Sequence, residues 1–242
     1  MKILDIDGPL ITFLSKMADL MWLNILTILC CIPVFTAGAA FTALDYMALK
    51  IVRGEEGYVT KGFFKAFKEN FFQSTIIWVL FLVVAAVLAL DYRIFTQSET
   101  EIPKILQMLI MMFAAVAVLT LMYVFPVQAK FSNTVKRTIW NAFVFGIVQF
   151  PKTVLMVILY VLPYVCLYLW SGIFPVVAVF CFSLPALLSA KLYNKFFKVM
   201  ENKIHEQEQA DGKGESSDSQ EEDVRIFKDE LDETIDFGQS DK

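Results

Sequence analysis

Apolar positions along the chain come in four long charge-free blocks, separated by stretches where lysines, arginines and acids return. The blocks cover residues 20–44 (25 residues), 70–90 (21), 105–129 (25) and 153–190 (38). Crossing the hydrocarbon layer takes about 20 mostly apolar residues, so each of the first three predicts one membrane-spanning helix. The fourth is too long for one. Its middle reads "LWSGIF", where Ser171 and Gly172 turn the chain and Trp170 anchors at the interface, so it predicts two helices joined by a tight turn. Five spans follow, at about 20–44, 72–92, 105–127, 153–170 and 173–191. Residues 138–151 are also uncharged, but 14 residues are too few to cross; a further membrane-inserted helix there is the alternative to an interfacial one.

Between the blocks the period changes. "TKGFFKAFKENFF" spaces Phe63, Phe64, Phe67 and Phe71 by one, three or four residues, with Lys61, Lys65 and Lys68 elsewhere on the helical wheel. Phe131, Val135, Ile139 and Phe143 repeat the device at four-residue spacing beside Lys130, Lys136 and Arg137. Both predict amphipathic helices lying in the membrane interface, phenylalanines in the acyl boundary and lysines among anionic headgroups. The alternative is a helix packed on the ends of the bundle.

Composition agrees with a membrane protein: 57% of the 242 residues are hydrophobic, and the mean hydropathy is +0.58. Charge divides the chain in two. Residues 1–200 carry 16 Lys/Arg against 10 Asp/Glu, whereas 201–242 carry 5 against 15. The first part is the membrane helix bundle; the second is an acidic tail, Ser/Gln-rich and expected to be disordered. Within it Val224, Phe227, Leu231 and Ile235 share one helical face, a candidate docking helix for a basic partner. Counted at the ends of the five spans, 13 Lys/Arg lie on one side and 4 on the other. Cytoplasmic loops hold the excess, which predicts the N-terminus outside and the tail in the cytoplasm.

The chemistry of enzymes is missing from this pattern. The single histidine, His205, lies in the tail, so neither an intramembrane Ser/His pair nor an HExxH metal site can form in the spans. There is no phosphate-binding glycine loop and no pair of mid-membrane acids. Gly54 and Gly57 in "RGEEGY" read as a turn out of the first span. Cys30, Cys31, Cys166 and Cys181 sit in apolar runs without metal-ligand spacing and read as small hydrophobes. No cleavable signal peptide is expected, because the first apolar run continues far beyond a signal h-region. No catalytic, cofactor-binding or metal-ligating residue emerges, and no binding residue is assigned.

The stretch "IPVFTAGAAFTALD" at 32–45 concentrates the remaining unusual features. Pro33, Pro126 and Pro185 lie in spans running the same way and predict a repeated bend, since an interior proline frees a backbone carbonyl that protein or water must satisfy. Gly38/Thr42 and Ala39/Ala43 form small-xxx-small pairs that let two helices approach closely, either within the chain or between two copies. Asp45 falls where the first span meets the inner interface, within reach of water, Lys50 or Arg53, and Asp19 and Asp91 likewise lie at span ends.

The block "LNILTILCCIPVFTAGAAFTALDYMALKIVRGEEGYVTKGFFKAFKENFFQSTIIW", with "YVFPVQAKFSNTVKRTIWNAF" and "FSLPALLSAKLYNKFF", resembles the YesL family of bacterial multipass membrane proteins across roughly residues 5–200. That family has no established biochemical activity and no catalytic residue to carry over. Its genes often neighbour carbohydrate ABC uptake systems and glycoside hydrolases, so the resemblance implies a bacterial plasma-membrane protein associated with such machinery. The expectation is therefore an all-α polytopic bundle without enzymatic activity or cofactor, an accessory protein acting on membrane transporter subunits through its cytoplasmic face. A small transporter or channel in its own right is the alternative. The expected partners are the lipid bilayer and, through the cytoplasmic face, those transporter subunits; no nucleic acid is expected, and a homo-oligomer is an open alternative.

Overall fold

The computed structural model describes residues 9–55, 57–97, 104–131, 133–170, 172 and 174–211. The protein is an all-α polytopic bundle, and the described residues contain no strand. Its helices are α1 (Pro9–Cys31), α2 (Ala37–Arg53), α3 (Val59–Gln97), α4 (Lys104–Lys130), α5 (Val135–Val148), α6 (Phe150–Leu169), α7 (Phe174–Phe180) and α8 (Ser183–Asp211). Among the described residues, five helices are long and apolar enough to cross a membrane, and α7 with α8 forms a sixth candidate bent by 51°.

The first expected span, 20–44, is not one helix. Pro33 cannot donate to the helical ladder, α1 stops at Cys31, and a single 3-10 turn at Val34–Thr36 reverses the chain. Thr36 closes the reversal, its Oγ1 donating to the carbonyls of Cys30 (2.6 Å) and Pro33 (2.7 Å). The two arms lie antiparallel along α3. Trp22 Nε1 donates to Thr60 Oγ1 at 2.8 Å near the start of α3, and Trp78 Nε1 donates to the Val34 carbonyl at 2.8 Å near its middle. On the return, Gly38 lies against Ser74 and Trp78, and Gly62 lies against Met47. α1 thus begins at the end of the bundle where Arg53 sits, not at the opposite end where an unbroken span would place it. Gly54, with φ of 73°, ends α2 in the left-handed conformation that glycine adopts without strain, its N–H returning to Ile51 O and that of Glu55 to Lys50 O.

The Phe/Lys segment is not a separate helix but the first third of the continuous 39-residue α3, with Phe63 fully buried in the core, Phe67 and Phe71 half-buried and Phe64 exposed. α5 runs antiparallel on α4, Thr138 Oγ1 meeting Gln128 Oε1 at 3.1 Å and Gly146 packing on the Leu119 backbone. Phe131 is buried and Val135 and Ile139 pack on the core, so residues 138–151 form a helix seated on α4 that runs into α6.

α6 and α7 flank the turn expected at 170–173. The three prolines do three different things: Pro33 reverses the chain, Pro126 stays inside an unbroken α4, and Pro185 occupies the first turn of α8, where its missing N–H has no intrahelical acceptor to lose. α8 runs parallel to α2, with Phe182 beside Phe41 (ring centroids 5.6 Å) and Asn194 beside Arg53, and continues to Asp211, past the boundary expected at 200. The face carrying Val224 to Ile235 lies outside the described residues.

Candidate functional site

α2 is the central element. Short and rich in alanine, it packs against α1, α3, α4 and α8, and its residues from Ala37 to Leu49 are buried apart from the half-buried Phe41. Gly38, Ala39, Thr42 and Ala43 therefore face neighbours within the chain, which removes that face from self-association. Thr42 and Ser74 share a hydroxyl hydrogen bond of 2.8 Å between α2 and α3.

Burial of α2 carries Asp45 inside with it. Its residue exposure is 5%, and Oδ1 has no hydrogen-bond partner. Neither of its expected partners reaches it. Lys50 stands over the Tyr46 ring, 4.9 Å from the centroid. Arg53 is held in a fork by Glu201 (Nη2–Oε1 2.6 Å, Nη1–Oε2 3.2 Å), with Nε on Asn194 Oδ1 at 3.0 Å, and Lys130 Nζ stands 3.8 Å from the same carboxylate. That cluster ties the ends of α2, α4 and α8 together. The expectation that Asp45 sits at a wet interface is thus overturned: the reversal at Pro33 moves it to the middle of the helix packing.

Asp45 lines a cavity of about 220 Å³. Phe41, Trp78, Phe125, Tyr160 and Phe182 form most of its wall, and Phe41 touches three of them, with centroids 5.9 Å from Trp78, 5.9 Å from Phe125 and 5.6 Å from Phe182. Met122 and Pro126 complete a side. Because Pro126 has no N–H, the Met122 carbonyl one turn earlier lacks its intrahelical donor. The Trp78 N–H is already given to Val34. The cavity therefore offers the Asp45 carboxyl, the Met122 carbonyl, the Tyr160 hydroxyl and aromatic rings. Toward the outer end it adjoins a second, apolar hollow of about 180 Å³ between α3 and α4, which shares Trp78 and Leu121.

A separate polar ladder joins the inner ends: Gln128 Nε2 donates to Asn70 Oδ1 (3.3 Å), and Gln73 Nε2 donates to the Asn133 carbonyl. Asn24 performs a further structural task at the break between α7 and α8, its Nδ2 donating to Ala178 O (2.9 Å) and its Oδ1 accepting from the N–H groups of Phe182 (3.0 Å) and Ser183 (3.3 Å). The four cysteines are free thiols, and no three of His, Cys, Asp and Glu converge among the described residues. The one signal of this site in the sequence was Asp45 itself, read as the wet end of a single straight span.

Residues 20–92 match the family model described as "Protein of unknown function, DUF624". The match contains the hairpin of α1 and α2, Asp45 and most of α3. No curated protein and no solved structure matches the chain.

Proposed function

We propose that this is a non-enzymatic accessory protein of the bacterial plasma membrane, engaging a partner membrane protein through a basic cytoplasmic face. The observation that carries the reading is convergence: Lys61 and Lys68 from α3, Lys136 and Arg137 from α5, and Lys195 and Lys198 from α8 are all exposed around the end that Arg53, Lys130 and Glu201 hold together. Three separate segments deliver like charge to one surface, which attracts anionic headgroups and an acidic partner alike. The same excess assigns this end to the cytoplasm. With α1 antiparallel to α2, this reading puts the N-terminal end of α1 on the same, cytoplasmic side, in place of the N-outside orientation that a single straight first span implies. The resemblance to the YesL family favours subunits of carbohydrate uptake systems as the partner.

The test is co-purification after crosslinking in native membranes. Replacing Lys61, Lys68, Lys195 and Lys198 by Glu should reduce partner recovery, while replacing Arg93 and Lys104 by Glu should not. Equal recovery from both variants would refute a cytoplasmic mode of action. The second reading, a small transporter, is favoured by the buried Asp45 beside its cavity, since an ionisable group within the membrane bundle marks a functional candidate. Solute uptake by purified protein in liposomes, lost in Asp45→Asn, would select it over the accessory role.

A further inference from the structure

We propose that the Asp45 cavity is a binding site for a small, phosphate-free organic ammonium ion that enters from the lipid phase. A buried carboxyl whose Oδ1 has no hydrogen-bond partner is unfavourable, and the chain brings no cation to it: Lys50 and Arg53 are engaged elsewhere, and no basic residue lines the cavity. What surrounds the carboxyl fits a cation. Five aromatic rings turn toward one space, and quaternary or protonated amines are held over such faces by the ring quadrupole. The second polar feature, the Met122 carbonyl freed by Pro126, is also an acceptor. Apart from the Tyr160 hydroxyl, which can donate or accept, the polar groups at the cavity are these two acceptors, and they suit a ligand that donates; an ammonium head donates up to three hydrogen bonds.

Size and route narrow the class. An apolar cavity of about 150 Å³ admits benzene, so the 220 Å³ here takes a body of about ten heavy atoms. An arylalkyl or alkyl amine of that size has its ammonium at Asp45 and its tail toward Trp78 and Leu121, where the apolar hollow between α3 and α4 continues. An ethanolamine phospholipid is a poorer occupant, because its phosphate would stand beside Asp45 with no cation in the lining to neutralise it. The site is independent of the basic face and stands or falls separately from the accessory role.

Equilibrium dialysis of radiolabelled 2-phenylethylamine against the full chain in nanodiscs of phosphatidylcholine and phosphatidylglycerol tests it, with empty discs as the blank. The wild type should bind one amine per chain saturably. Asp45→Asn should weaken binding by about tenfold or more, the loss expected when a hydrogen bond to a charged group goes. The neutral isostere 2-phenylethanol should compete at least about tenfold less well than unlabelled amine, and phosphatidylethanolamine added to the discs should not displace the probe. Met122→Trp, which leaves Asp45 in place and fills the cavity, should abolish binding, and it decides the matter if Asp45→Asn fails to fold. No saturable binding by the wild type, equal competition by the alcohol, retention of binding in a folded Met122→Trp or Asp45→Asn protein, or displacement by phosphatidylethanolamine would each overturn the proposal.

Discussion

α2 approaches α3 closely at Gly38, and Gly38→Ala tests what that contact contributes. A Cβ at position 38 would stand 2.5 Å from the Ser74 carbonyl oxygen and 2.6 Å from the Trp78 Cβ. Non-bonded carbons are comfortable only from about 3.5 Å, so the helices must separate by roughly 1 Å there. No rotamer change relieves the clash, because one obstacle is backbone and the other is the first side-chain carbon. Separation also stretches the Thr42–Ser74 hydroxyl bond of 2.8 Å one turn away and loosens the edge contact of Phe41 with Trp78. Overpacking costs about 1–3 kcal/mol, and an interhelical hydrogen bond within a membrane contributes about 0.6 kcal/mol. Alanine returns about 1 kcal/mol of helix propensity, leaving a net loss of about 0.6–2.6 kcal/mol. Gly62→Ala is the internal control: its added carbon meets only the far end of the Met47 side chain, Sδ at 2.6 Å and Cε at 3.3 Å, which has rotatable bonds to shift it. Reversible unfolding in mixed micelles should show Gly38→Ala clearly destabilised and Gly62→Ala changed by less than about 1 kcal/mol. Equal stability of Gly38→Ala and wild type, or equal damage from both substitutions, would refute the argument that an immovable neighbour decides the outcome.

Three other outcomes are expected. Asn24→Leu keeps the size of the side chain but withdraws the partner of Ala178 O and of the Phe182 and Ser183 N–H groups; it should cost about 2–4 kcal/mol in the same unfolding assay. Glu201→Gln leaves Arg53 and Lys130 without their shared counter-charge and should destabilise by about 3 kcal/mol, with partial recovery when Arg53→Gln is added. In a cysteine-free background, an impermeant maleimide should label Tyr92→Cys in intact cells but Ser15→Cys and Lys203→Cys only after permeabilisation; external labelling of Ser15→Cys would restore a single straight first span.

Where a segment's behaviour depends on its own residues, the sequence was enough. The apolar blocks behind α3, α4 and α6 and the turn after Trp170 follow from local hydropathy and turn chemistry, which no tertiary partner has to decide. Phe63 shows the limit: a phenylalanine stripe on a helix has the same periodicity whether it meets acyl chains or α2, and only the packing distinguishes them. Residues 20–44 failed for a related reason. A count of uncharged residues measures length, while the path is set by Pro33 withdrawing a donor, Thr36 bonding back to Cys30 and Pro33, and Gly38 allowing α2 to dock closely on α3. Each was visible alone as a kink or a small residue, but their sum as a reversal needs α3 as the surface on which the hairpin closes.

That reversal is also what creates the site. In an unbroken helix from Leu20, Asp45 would follow the last apolar turn and emerge at the membrane edge, where water would solvate it. Folded back at Pro33, α2 is enclosed by four other helices, and the same residue lies one turn beyond Thr42, whose hydroxyl meets Ser74 near the start of the charge-free part of α3. Trp78, about 12 Å from that start by helical rise, marks how far the tip penetrates, and the exposed Ile32, Val34 and Phe35 give that tip an apolar surface suited to lipid. A hairpin that enters and leaves by one face thus performs two tasks. It adds no net crossing, so α1 begins on the side where α2 ends, and it carries a single carboxyl into an aromatic pocket. Substituting Pro33→Ala alone should not straighten it, because the Trp78–Val34 and Thr36 hydrogen bonds hold the tip; Pro33→Ala with Thr36→Val and Trp78→Phe should weaken the closure enough for Asp45 to become accessible to a water-soluble carbodiimide. Modification of Asp45 at the same rate in the triple variant as in the wild type would show that the packing of α2 on α3, and not the tip, fixes the reversal.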